Sequence, residues 1–135
     1  MLRSPPAYRL NGARVSREDF YRSACDPARS AVVEACAGAG KTWMLVSRIL
    51  RALLDGAAPH EILAITFTRK AAGEMQQRLF DWLREFADPG TSPARLLAEL
   101  IGRGVAPEQA GVAVPALAAL HEKVLAAARG VQVQT

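Results

Sequence analysis

Residues 35–42 read Ala35-Cys36-Ala37-Gly38-Ala39-Gly40-Lys41-Thr42, which fits the phosphate-loop pattern G-x-x-x-x-G-K-[ST] with Ala35 in place of its first glycine. Gripping a polyphosphate takes several backbone N–H groups turned toward one point, and only residues without bulky side chains let the main chain close that tightly. Gly38 and Gly40 can also adopt positive φ at little cost. The run leads into a helical pattern, and a helix N-terminus favours anions through its unpaired amides and its dipole. In that setting Lys41 reaches the β and γ phosphates as the catalytic point charge, and the Thr42 hydroxyl ligates Mg²⁺. The expected ligands are therefore a nucleoside triphosphate and Mg²⁺. Trp43, the next residue, has two uses open to it: stacking on the purine or packing in the core.

Such a loop works only between a strand and a helix, and the flanking residues supply both patterns. Ala31-Val32-Val33-Glu34-Ala35 is a short β-branched run predicting a strand, and Leu45, Ile49 and Leu53 lie four apart after the loop. Gly56 and Pro59 end that helix. A second apolar run, Ile62-Leu63-Ala64-Ile65-Thr66-Phe67, follows at once. Being apolar on both faces and joined by a helix, the two runs are expected to be parallel strands of one covered sheet. Thr68 is a natural N-cap for a further helix with Ala72, Met75, Leu79, Leu83 and Phe86 on one face, stopped by Asp88-Pro89-Gly90. The order is β-α-β-α.

Around this core, residues 1–30 read as an Arg-rich lead-in with one short helix from Ser16 to Ala24. Residues 31–87 form the phosphate-loop unit. Residues 88–135 turn to Ala, Leu and Val, with helical candidates near Pro93–Ile101, Pro107–Gly111 and Ala116–Arg129. The alternation Val131-Gln132-Val133-Gln134-Thr135 is a strand signal that stands at the end of the chain as if cut off.

The loop with Val33 and Glu34 before it, and the block from Ile62 through Met75 after it, together resemble the start of UvrD/Rep/RecB-type superfamily 1 DNA helicases. The second block discriminates more. In that family a Thr-Phe-Thr-x-Lys-Ala-Ala segment contacts single-stranded DNA, and it is matched here by Thr66, Phe67, Thr68, Lys70, Ala71 and Ala72, with Arg69 where the family has Asn. The residue chemistry agrees: an aromatic at a strand end stacks on a base, and Thr66, Thr68, Arg69 and Lys70 at a helix start can hold phosphate. The resemblance implies an α/β fold, part of a RecA-like P-loop NTPase domain with parallel strands and then a helical insertion segment. It also implies ATP as the nucleotide, driving 3′ to 5′ translocation on DNA in repair or recombination, with single- or double-stranded DNA as partner. A nuclease or helicase subunit is a further candidate partner. Two departures stand out. The family's adenine-reading Gln has no counterpart in Phe20-Tyr21-Arg22-Ser23-Ala24, and no apolar run ends in the Asp-Glu pair that hydrolysis uses. The isolated chain is therefore expected to be a poor ATPase.

Composition narrows the field without deciding it. The 135 residues are half apolar and 22% charged, which is a globular composition. A net charge of +4 is too small to argue for nucleic acid by itself. The longest uncharged stretch, between Glu108 and Glu122, contains Pro115 and falls short of the roughly 20 residues a bilayer-spanning helix needs. Two cysteines, no secretory leader pattern and no metal-ligand spacing suggest a cytoplasmic, reducing setting. Lys123, Arg129, Arg95 and Arg103 form no run and read as solvated helix faces. Two rival functions stay open: a phosphotransferase of another phosphate-loop family, and a non-catalytic nucleotide-binding remnant.

Overall fold

The computed structural model describes residues 7–35 and 40–135; Cys36, Ala37, Gly38 and Ala39 of the phosphate loop lie outside the described residues. The chain begins with a hairpin, β1 (Tyr8–Leu10) paired antiparallel with β2 (Ala13–Val15). Asn11 and Gly12 turn it, both with positive φ (51° and 83°), as a two-residue primed turn requires. The hairpin is absent from the reading of residues 1–30 as a lead-in, although Asn-Gly is the strongest short hairpin signal a sequence carries. Helix α1 (Arg17–Ala24) follows, with Ser16 as its N-cap.

Residues 31–35 do not form the expected strand. Val33 packs toward an aromatic cluster, whereas Val32 is 94% exposed. A strand is held by a ladder partner, and the described residues provide none here. Helix α2 (Lys41–Leu54) buries Met44, Val46, Ile49, Leu50 and Leu53, and the chain leaves it through Gly56 at φ 105°. A 3-10 turn at Pro59–Glu61 leads into β3 (Leu63–Ile65), shorter than the apolar run that predicted it.

Helix α3 (Arg69–Ala87) carries the predicted stripe: Met75, Leu79, Leu83 and Phe86 are all buried. Burial of each such side chain contributes about 1.5–3 kcal/mol. Helix α4 (Pro93–Gly102) is capped by Ser92. Helix α5 (Pro107–Ala126) runs unbroken through Pro115, where two separate helices were expected. Proline removes one helical N–H, but Pro115 and Gly111 four residues before it are both exposed, so water can take the freed carbonyl.

The parallel partner of β3 is β4 (Gln132–Gln134), in the register Leu63↔Gln132, Ala64↔Val133 and Ile65↔Gln134. Residues 31–35, expected in the same sheet, do not join it. Ala64 and Val133 pack against the helical core. Leu63 and Ile65 point away from it and are exposed, so the sheet is covered on one face rather than two. The main core joins α2, α3, α4 and α5, and a smaller cluster around Tyr21, Cys25 and Met44 joins α1 to the start of α2. Among the described residues no helix is long and apolar enough to cross a membrane.

Candidate nucleotide and nucleic-acid site

Among the described residues, the start of α2 has no side-chain cap. Gly40 sits at the N-cap in the left-handed region (φ 86°, ψ 22°), its carbonyl accepts from the Met44 N–H at 3.0 Å, and no side chain caps the turn. Glycine reaches that conformation freely, whereas another residue there costs about 1–2 kcal/mol. Lys41 is exposed and Thr42 half-buried. Helical geometry leaves the first amides of α2 without intrahelical acceptors. Ala35 lies half-buried before the loop.

Trp43 stands over an aromatic cluster. Its ring meets Tyr21 and Trp82 edge to face, at centroid distances of 5.3 and 5.9 Å. Two guanidinium groups lie against it, Arg17 at 5.4 Å and Arg103 at 4.9 Å from the ring centroid. Arg103, expected on a solvated helix face, is 2% exposed. Its guanidinium also lies 4.2 Å from the Trp82 centroid and 5.4 Å from Phe86, and donates to the Glu99 carbonyl at 2.9 Å and to Glu99 Oε2 at 2.5 Å. Burial lowers its pKa and Glu99 opposes that shift. Arg17 donates to the Gly102 carbonyl at 2.9 Å and covers Tyr21 at 4.4 Å. No sequence signal marks these arginines, because burial at Arg103 comes from residues 17 to 60 positions away. Below the cluster, burial raises the Cys25 thiol to about 11, so Cys25 is a neutral packing group at physiological pH.

The second predicted segment is the opposite in character. The β ladder continues past β3, with Thr66 N–H donating to the Gln134 carbonyl at 2.9 Å. Phe67 is then 103% exposed, so it does not close the core. Thr68 caps α3, its Oγ1 accepting from the Ala71 N–H at 3.0 Å. Arg69 and Lys70 are exposed on the first turn, and Lys70 stands 4.0 Å from Glu74 in a surface pair of the kind that contributes little. Helices α2 and α3 share one core, which fixes the two segments on a common scaffold. Neither of two open clefts, one of about 430 Å³ beside Arg22 and Arg51 and one of about 310 Å³ between α2 and β3, is lined by a described residue of the predicted sites.

Comparison with known proteins gives this arrangement a family. Sixty-three residues are 43% identical to an ATP-dependent helicase/nuclease subunit of Latilactobacillus sakei, covering 47% of this chain and 7% of that protein. Proteins of the same name from Lactobacillus acidophilus and Carboxydothermus hydrogenoformans are 40% identical over 76 residues and 47% identical over 74, covering 56% and 51% of this chain. The chain spans only 6% of the length of each of those two relatives. No solved structure matches. The model of the UvrD/REP helicase N-terminal domain matches residues 18–126, which includes the loop, α2 and the β3–α3 junction, and the chain belongs to that family.

Proposed function

We propose that the chain is the N-terminal, nucleotide-binding part of an ATP-dependent DNA helicase of the UvrD/RecB type, with residues 31–87 as part of a RecA-like motor domain, residues 1–30 leading in and residues 88–135 as a helical segment. One observation carries this reading: an uncapped helix start bearing exposed Lys41 and a capped helix start preceded by fully exposed Phe67 share one core within a single family match. The loop amides from Ala35 through Gly40 and the Lys41 ammonium hold the phosphates, and the Thr42 hydroxyl holds Mg²⁺. Left-handed Gly40, the helix-start amides after it, an exposed ammonium and a hydroxyl fit a magnesium-bound polyphosphate. The metal, when bound, neutralises charge on the terminal phosphates.

Thr66, Phe67, Thr68, Arg69 and Lys70 bind single-stranded DNA, Phe67 by stacking and the others by contact with phosphate. In the whole enzyme, ATP hydrolysis then drives 3′ to 5′ translocation in repair or recombination. The name shared by the relatives pairs helicase with nuclease and describes one subunit of a larger whole. That supports a nuclease activity or a partner subunit working beside this part; the reducing, cytoplasmic setting rests on the cysteine usage alone.

The test is a titration with a fluorescent ATP analogue and Mg²⁺. Lys41→Ala removes a charge-assisted contact of about 1.5–3 kcal/mol and is expected to weaken binding about ten- to hundredfold. Equal binding by the variant would remove Lys41 from the site.

A further inference from the structure

Among the described residues, four of the five α-helices begin with a local device. Ser16, Thr68 and Ser92 accept from the amides of Asp19, Ala71 and Arg95 at 3.1, 3.0 and 3.2 Å, and α5 starts with Pro107 followed by Glu108. Helix α2 has none of these. Its N-cap is Gly40, its first turn carries no acid, and its first residue is Lys41. A cation there opposes the helix dipole, so this turn should fray more readily than the three capped starts.

Trp43, on this turn, is contacted by side chains from distant elements. Arg17 belongs to α1 and Arg103 follows α4, yet both guanidinium groups converge on its ring, and both are anchored at the end of α4, Arg17 to the Gly102 carbonyl and Arg103 to Glu99. Arginine keeps its charge even when desolvated, and a guanidinium over an indole is worth most when water is excluded. Arg103 Nε has no hydrogen-bond partner among the described residues, so the aromatic faces of Trp43, Trp82 and Phe86 are its main surroundings on that side.

We propose that Arg103, with Arg17, clamps Trp43 and thereby orders the first turn of α2, making both arginines positioning residues for Lys41 and Thr42 and making Trp43 an anchor rather than a platform for the purine. The purpose of the clamp rests on the nucleotide reading; the clamp itself does not. It also ties the helical segment beyond residue 88 to the first turn of α2, so displacement of α4 would reach Lys41 through two side chains.

Amide hydrogen exchange on the whole chain, read residue by residue, tests this in the parent and in Arg103→Met and Arg103→Lys. Methionine keeps length and apolar volume while removing the charge, and Glu99, partly exposed, can then be hydrated. The expected result is exchange at the Met44 amide about ten- to thirtyfold faster in Arg103→Met, the factor one guanidinium–ring contact approaches when water is excluded, with recovery in Arg103→Lys and no change at Leu120 of α5. Binding of Mg-ATP should weaken by a similar factor. Unchanged exchange at Met44, or an equal rise at Leu120, overturns the clamp. Should Arg103→Met fail to fold, Arg17→Met is read in the same way. If the parent chain binds no Mg-ATP while Met44 responds as expected, the clamp stands and the nucleotide reading falls.

Discussion

At the start of α3, one hydroxyl three residues from its amide partner closes the helix, and the residues around it stay in water: Phe67, Arg69 and Lys70 are all exposed. At the start of α2 no described side chain caps the helix, and the residue after Thr42 meets side chains from α1, α3 and the end of α4. The first junction could be moved to another protein with most of its structure intact. The second exists only where α1, α3 and α4 are already packed. A segment that binds a long polymer at the surface needs reach and exposure, whereas a loop that must hold a small polyanion needs its geometry fixed beforehand.

The sharpest way to break this contrast is at Gly104. Its φ is 87°, and a Cβ there would overlap the backbone of Tyr21 and Arg22, so Gly104→Ala adds a clash to left-handed strain. A loss of about 3 kcal/mol is expected, measured by urea unfolding. A loss within about 0.5 kcal/mol, the usual range for surface changes, would mean that α1 and the end of α4 are not seated against each other, and the distant support of α2 would go with them.

Phe67→Ala should act the other way round, leaving urea stability unchanged because the ring is outside the core, while weakening single-stranded oligonucleotide binding by about 1–3 kcal/mol. Anisotropy titration measures it. Unaltered affinity would leave an exposed phenylalanine with no assigned purpose and weaken the contrast on its functional side.

Thr68→Ala isolates the local device and should cost about 1 kcal/mol of stability, the usual worth of an N-cap. Because that cap is independent of distant contacts, its effect should add to that of Gly104→Ala within about 0.5 kcal/mol in the double variant. Clear non-additivity in urea unfolding would show that the two junctions are not independent.

How much could be read beforehand follows the same division. Ser16, Thr68, the stripe from Met75 to Phe86 and the stop at Gly56 locate α1, α2 and α3 closely, because capping, periodicity and a glycine stop act within a few residues. The hairpin was equally legible in Asn11-Gly12, a local signal that the prolines and arginines around it mask in a short polar segment. Three other expectations failed for want of nonlocal information. Val32 and Val33 have strand-forming side chains, but a strand also requires a neighbour, and no described strand lies beside them. Pro115 signals a break, but exposure of Gly111 and Pro115 lets α5 continue. Arg103 looks like any surface arginine until Trp43, Trp82 and Phe86 surround it.

The order of residues alone determined α1, α2 and α3, the caps Ser16 and Thr68, the phosphate-loop spacing and the family resemblance, because each of these is written in neighbours a turn or less apart or in a contiguous motif. Only the folded chain decided which strands pair, that Phe67 faces water and that Arg103 faces two tryptophans. Those outcomes depend on which surfaces meet when distant segments pack, and burial is a property of the meeting rather than of either partner.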